Sequence, residues 1–167
     1  YLVVDGNGNI SVASASVVVG ELKSETEETR DIEFIKNGQS DYSLIIPSTY
    51  SGTELPAAYK IQDYIYKSTG FTLPVKTDAE ISNGVNKFIS IGLTSLYNQS
   101  NLNIDVIGFG DGYAIKEKDG NFYILGGEGS KSYLYAAYEY LNIAINLEPY
   151  YLTEVSFDCM LDVYMPK

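Results

Sequence analysis

An apolar stripe of helical period between Ser130 and Ile145 constrains the fold more than any other feature of this sequence. Its residues recur at positions i, i+3, i+4, i+7 and i+11: Leu134, Ala137, Tyr138, Leu141 and Ile145. That spacing places all five side chains on one face of an α-helix, and such a face must be covered by apolar surface. The β-branched runs elsewhere in the chain indicate that a sheet provides the cover.

The rest of the chain alternates strand-like and helix-like segments. Another helix, capped by Thr53 or Ser51 and ended by Gly70, has four apolar residues on one face: Leu55, Ala58, Ile61 and Ile65. Hairpin turns are predicted at two dipeptides, Asn37-Gly38 and Asp119-Gly120. Strands are predicted at residues 32–36, 42–47, 71–76, 87–91, 112–118 and 121–125, with one or two more between 149 and 164. The expected fold is α+β, a mixed β-sheet of about five to seven strands covered by two main helices.

The first thirty residues differ from the remainder. Two β-branched runs flank the turn-forming segment 5–9, which predicts an N-terminal β-hairpin. This hairpin resembles the closing hairpin of a fibronectin-type or immunoglobulin-like module. Residues 20–30 are acidic and polar, as expected of a linker. We therefore predict that residues 1–30 are the end of a preceding module, residues 31–167 are an α+β domain, and both belong to a longer polypeptide.

Composition removes several classes of function. Histidine is absent from the 167 residues, which excludes Ser-His-Asp and Cys-His catalysis and histidine metal sites. With 22 acidic and 11 basic residues the formal net charge is −11, which argues against partners that are nucleic acids or anionic membranes. No apolar run is long enough for membrane insertion. Cys159, without a basic neighbour, is expected to be a small buried hydrophobe.

Motifs that could carry chemistry are incomplete. Asp5, Asn7 and Asn9 imitate a calcium loop, but its later glycine and glutamate positions are filled by other residues, so no metal is predicted. The glycine-rich segment 126–132 lacks the Gly-Lys-Ser core of a phosphate loop and indicates a tight strand-to-helix turn. The carboxylates lie in no apolar stretch that would shift their pKa values as glycosidase chemistry requires. We expect no enzymatic activity and no cofactor for this chain.

The order of several short motifs resembles a known domain. They are Ile45-Ile46-Pro47, the helix 57–65, Ser68-Thr69-Gly70, Leu73-Pro74-Val75, Ile89-Ser90-Ile91-Gly92, residues 111–115 and 123–127, and a second helix with Ala136-Ala137-Tyr138. Over about residues 31–153 this order is similar to the N-terminal accessory domain of bacterial β-hexosaminidases, α-glucuronidases and related glycoside hydrolases. The resemblance implies a domain that precedes a catalytic barrel of the same polypeptide, outside the cell or on its surface. The family's catalytic acids lie in that barrel, so none is placed on this sequence.

Tyrosine is the unusual residue of the chain, with 16 Tyr and no Trp. Exposed tyrosines can stack on sugar rings, which leaves a carbohydrate-binding module open as an alternative, with Tyr42, Tyr50, Tyr150 and Tyr151 as candidates. They can also pack in a core or at an interface. For docking on a barrel we predict the tail residues Tyr150, Tyr151, Leu152, Phe157 and Met160. A spacer domain of a surface protein is the third possibility.

Overall fold

The fold follows the chain through eleven strands and three helices in the residues that the structure describes. This computed structural model describes residues 2–4, 10–12, 31–50, 52–81, 85–104, 110–127, 131–150, 154–156 and 159–166. The strands are β1 Leu2–Val4, β2 Ile10–Val12, β3 Ile32–Ile35, β4 Ser43–Ile46, β5 Val75–Thr77, β6 Phe88–Ile91, β7 Tyr113–Lys118, β8 Asn121–Gly126, β9 Glu148–Tyr150, β10 Glu154–Ser156 and β11 Val163–Met165. The helices are α1 Glu54–Thr69, α2 Ser95–Gln99 and α3 Ser132–Ile145.

A five-stranded mixed sheet forms the centre of the domain, which confirms the predicted α+β class. Its strand order is β5-β4-β6-β8-β7. The pairs β4–β5, β4–β6 and β6–β8 are parallel, whereas β7 and β8 form an antiparallel hairpin. Strand β5 lies at one edge, where the preceding Pro74 does no harm because an edge strand does not need every backbone donor.

Both predicted turns form with left-handed backbone at two successive residues. The φ angles are 50° at Asn37 and 67° at Gly38, and 54° at Asp119 and 75° at Gly120. Positive φ at both central positions is the geometry of a two-residue hairpin turn. The first turn does not lead back into the main sheet, however. Strand β3 pairs instead with β11, so the tail of the chain closes a separate two-stranded sheet.

Side chains of the main sheet alternate between two apolar layers. Leu44, Ile89 and Phe122 belong to the main core, in which α1 and α3 pack side by side on one face of the sheet. On the opposite face Ile45, Phe88 and Tyr123 form a smaller cluster covered by α2 and its flanking segments. Helix α2 was not predicted. Its local signal is Thr94, whose hydroxyl accepts a hydrogen bond from Tyr97 N at 3.1 Å and caps the helix.

The two main helices differ from prediction at their ends and faces. Thr53 precedes α1 but makes no side-chain capping bond, and Ser51 lies outside the described residues, whereas Gly70 ends the helix in the predicted left-handed conformation. In α3 the buried face consists of Ser132, Ala136, Ala137, Tyr140, Leu141, Ala144 and Ile145. Leu134 and Tyr138 are only partly buried, so the predicted stripe was rotated and missed Tyr140.

The two ends of the chain test further predictions. Strands β1 and β2 pair antiparallel, which confirms the N-terminal hairpin, and the acidic segment 20–30 lies outside the described residues. The prediction of a buried Cys159 is wrong, because its side chain is exposed. The reason is local: Met160 donates its backbone N–H to Ser68 O at 3.0 Å and packs against the main core, which leaves Cys159 facing outwards.

Candidate functional site

The carboxyl ends of β4 and β6 border a crevice of the kind in which open α/β sheets bind ligands. From β4 the chain passes through α1 to β5 on one side, while β6 lies on the other, and such a reversal is where open α/β sheets bind ligands. Here Glu54 occupies the crevice, 7% exposed, and accepts a hydrogen bond from Gly52 N at 3.0 Å. A Cβ at Gly92, whose φ is 91°, would lie 3.1 Å from Glu54 Cγ. The protein fills this crevice with its own side chain.

Asp78 ties together the loops that surround the crevice. Its carboxylate accepts hydrogen bonds from Ser48 N at 2.8 Å, from the Ser48 hydroxyl, and from Ser95 N at 2.9 Å. Partial burial alone would raise the pKa of Asp78, but these hydrogen bonds favour the carboxylate and together lower the pKa. One side chain therefore joins the segment after β4 to the beginning of α2.

Four aromatic rings form a closed group at the opposite end of the sheet: Phe34, Tyr42, Phe122 and Tyr140. The ring centroids of Phe34 and Tyr42 are 5.0 Å apart, and those of Phe122 and Tyr140 are 5.6 Å apart. Tyr42 Oη donates a hydrogen bond to Gly120 O at 2.5 Å. Burial, with a smaller contribution from the charge of Glu117, raises the pKa of Tyr42 to about 12.

The prediction that Tyr42 stacks on a sugar is therefore wrong. Its side chain is 2% exposed and its ring belongs to the core. The sequence signal against exposure was the apolar run 44–46 of β4 close behind it, because a strand of a parallel sheet is covered on both faces.

A cleft of about 740 Å³ opens beside the aromatic group. Ile32, Phe34 and Tyr42 contribute to its floor and are themselves buried. Charged side chains of both signs border it: Asp31, Glu33, Lys36, Asp41, Lys87 and Asp119. Lys87 Nζ lies 5.6 Å from the centroid of the Tyr42 ring, so a cation already covers that ring. The cleft offers polar contacts but no accessible aromatic face.

Of the other predicted site residues, the structure describes the side chains of Tyr50 and Met160. Tyr50 lies in the loop after β4 and is exposed, as a sugar-stacking residue must be. Tyr151, Leu152 and Phe157 lie outside the described residues, as does the side chain of Tyr150. Met160 was predicted as an interface residue, and it is partly buried against the domain's own core. Its neighbour Leu161, not predicted, is 71% exposed.

The solvent side of the helical layer carries tyrosines that were not predicted as functional. We define the outer helical surface as Tyr59, Lys60, Tyr64 and Tyr66 of α1 together with Tyr135 and Tyr138 of α3. Tyr59 and Tyr66 are each 53% exposed and lie two turns apart, opposite the buried Ile61 and Ile65. The seven-residue spacing of Tyr59 and Tyr66 was the sequence signal that could have placed them on one face of the helix.

A lysine connects the two helices across this surface. Lys60 Nζ lies 5.6 Å from the ring centroid of Tyr64 and 6.0 Å from that of Tyr138. Within this range a cation is attracted to the negative face of an aromatic ring. The outer helical surface is therefore rich in tyrosine, with Lys60 between the two helices and with the exposed Lys67, paired with Asp63, 4.8 Å from the ring centroid of Tyr64.

The described part of the chain brings together no group of three or more histidine, cysteine, aspartate or glutamate side chains placed to hold a metal ion. None of its helices is both long and apolar enough to cross a bilayer. No protein-family model matches the sequence, and a search of curated proteins gives no match either.

Proposed function

We propose that this chain is a non-catalytic accessory domain of a secreted or cell-surface bacterial glycoside hydrolase. In this role the domain packs against the catalytic barrel of the same polypeptide and holds the barrel in position. The order of sequence motifs that resembles the N-terminal domain of such enzymes motivates the proposal, and the outer helical surface supports it physically.

The physical support is the binding energy that the exposed tyrosines would contribute if another domain buried them. Tyr59 and Tyr66 leave about half of their side chains in water, although buried aromatic area is a main source of binding energy. Tyrosine is enriched at the centre of protein interfaces because its ring is rigid and its hydroxyl tolerates a polar neighbour. Interfaces between domains of one chain bury on the order of 600–1,500 Å², which the solvent side of two adjacent helices can supply. The outer helical surface therefore fits a domain interface.

Tyrosine-specific chemical labelling tests this proposal. The polypeptide as its gene encodes it and the 167-residue chain alone are nitrated under the same conditions, and each modified tyrosine is quantified by mass spectrometry. We expect Tyr59, Tyr66 and Tyr135 to react in the short chain and to be protected in the full polypeptide. Tyr164, exposed on β11, is the internal control for reagent access.

Two results would contradict the proposal. Equal reactivity of the three helical tyrosines in both proteins would show that no domain covers them. A gene that encodes no glycoside hydrolase barrel together with this domain would remove the partner altogether.

A carbohydrate-binding module remains the second candidate, because Tyr50 is exposed in a loop. Affinity electrophoresis in gels that contain glycol chitin, xylan or another soluble polysaccharide measures such binding directly. Retardation that disappears in Tyr50→Ala and persists in Tyr59→Ala would favour this candidate over the accessory domain.

A further inference from the structure

Among the described residues nothing pairs with the outer edge of β7, whereas the other edge of the main sheet is protected. Strand β5 has three residues, follows Pro74, and has the N–H of Thr77 bound to Glu80 Oε2 at 2.6 Å. Strand β7 has six residues, and no other described strand pairs with its outer side. A long unprotected edge is a template for another strand.

The hairpin geometry fixes which backbone groups of β7 face outwards. In a hairpin closed by a two-residue turn, Lys118 and Asn121 exchange hydrogen bonds, and every second pair along the strands does the same. The bond from Gly127 N to Gly112 O, 2.7 Å long, lies on this same alternation. The remaining residues of β7, Tyr113, Ile115 and Glu117, therefore direct their N–H and C=O groups away from β8. Among the described residues no group binds them.

A second copy of β7 satisfies all of these groups in one register. Two antiparallel strands related by a two-fold axis perpendicular to the sheet can be centred on any one residue. Centred on Ile115, they pair Ile115 with itself and Tyr113 with Glu117 of the second copy, so each outward residue meets an outward residue. Centred on Lys116, they would place two lysines opposite each other, which is unfavourable. Centred on Ala114, they would leave Glu117 unpaired.

We propose that the protein forms a symmetric dimer through β7, centred on Ile115, which joins two five-stranded sheets into one continuous sheet. Three residue pairs exchange two main-chain hydrogen bonds each. The interface is small, so the dimer is weak and forms at high protein concentration. The proposal does not depend on the proposed function, because β7 lies at the sheet edge and not on the outer helical surface.

Side-chain charge is compatible with this register. Lysines at sheet edges often prevent pairing, and β7 contains Lys116 and Lys118. In the Ile115-centred pair, however, Lys116 lies opposite Ala114 and Lys118 opposite Gly112. Within residues 112–118 no like charges face each other, so the edge tolerates its own copy despite the net charge of −11.

Two substitutions at one exposed position test the interface. Tyr113→Lys places a positive charge opposite Glu117 of the second copy, and Tyr113→Glu places a negative charge there. Sedimentation equilibrium should give the Lys variant a dimer dissociation constant at least about tenfold lower than that of the Glu variant. The reason is that residue 113 of each copy faces Glu117 of the other, so two charge pairs are attractive in the Lys variant and repulsive in the Glu variant. Circular dichroism melts confirm that both variants fold.

Cysteine cross-linking tests the register itself, in a Cys159→Ser background. Ala114 and Lys116 of the second copy form a non-hydrogen-bonded pair, whose Cα separation of about 4.5 Å suits a disulfide. A mixture of Ala114→Cys and Lys116→Cys chains should yield a covalent dimer on mild oxidation, and neither chain alone should. A mixture of Ala114→Cys and Lys118→Cys chains, the control, reports the Lys116-centred register and should yield none.

Any of three results would overturn the proposal. A wild-type chain that stays monomeric at millimolar concentration shows that a second copy does not bind. Equal dissociation constants for the Lys and Glu variants place any dimer contact elsewhere. Cross-linking of the control mixture in place of the first mixture shows that another register is used.

Discussion

Tyr42 and Tyr140 share one aromatic group, but among the described residues only the Tyr42 hydroxyl has a hydrogen-bond partner. Tyr42 Oη donates to Gly120 O, whereas Tyr140 Oη is fully buried and no described residue hydrogen-bonds to it. Both rings make edge-to-face contacts with Phe34, at centroid distances of 5.0 and 6.1 Å. The two tyrosines therefore form a matched pair for measuring what a buried hydroxyl costs.

Removing each hydroxyl should change stability in opposite directions. Tyr140→Phe should raise the free energy of unfolding by about 1–2 kcal/mol, since it deletes a polar group that was buried without compensation. Tyr42→Phe should lower it by about 1 kcal/mol, since it breaks a hydrogen bond. Urea melts of the two variants and the wild type give both values. Two changes of the same sign would mean that the Tyr140 hydroxyl has found a partner in solution.

The same two residues predict a loss of stability in alkali. Burial raises the pKa of Tyr42 to about 12 and that of Tyr140 well above its ordinary value, while both titrate near 10 in an unfolded chain. Their contribution is complete below pH ~10 and decreases as the pH rises from there towards 12, because only the unfolded chain then releases protons. Melts at several pH values should show a shallower decrease in Tyr140→Phe than in the wild type.

Asp78 predicts a loss of stability in acid. Its pKa is lowered in the folded protein, so its contribution is complete above its ordinary pKa of about 3.8 and disappears as the pH falls below that value. Asp78→Asn should lower stability at neutral pH by about 1–3 kcal/mol and remove this part of the acid dependence. Asp63→Asn, which affects an exposed pair with Lys67, is the control and should change little. Parallel acid dependence in the two variants would contradict the role of Asp78.

The buried face of α3 can be tested with one pair of substitutions. Leu141 is completely buried, so Leu141→Ala should cost about 2–5 kcal/mol through lost contacts and a residual cavity. Glu139, on the exposed side of the helix, should change stability by less than about 0.5 kcal/mol when replaced by Ala. Denaturant melts that give similar losses would show that the helix packs through a different face.

Elements defined by local chemistry were predictable from the sequence. The turns at Asn37-Gly38 and Asp119-Gly120 follow from the tolerance of these residues for positive φ, and the buried strand β6 follows from its apolar run. Relations between distant segments were not predictable. The pairing of β3 with β11 and the bonds from Ser48 and Ser95 to Asp78 depend on how the sheet is assembled.

The exposure of the candidate site residues was likewise not predictable from the sequence. Tyrosine content alone does not separate Tyr42, whose ring fills the core, from Tyr59, which stays exposed, because tyrosine is suited to either environment. Tyr42 is buried by its contacts with Phe34 and Phe122, whereas Tyr59 is exposed because α1 packs through its opposite face. Cys159 was misplaced for a similar reason, since the orientation of its segment is set by the contact of Met160 with the end of α1.

The antiparallel pairing of β3 with β11 has a mechanical consequence. Ile32 lies opposite Met165, so the segment before β3 and the segment after β11 leave this pair of strands at nearly the same point. Tension applied between those two segments would act on that end of the ladder first. The hydrogen bonds would break one pair after another from that end, whereas under shear they would all bear the force together. In a polypeptide stretched between two attachments, the β3–β11 pair would open at low force while the main sheet carries no load.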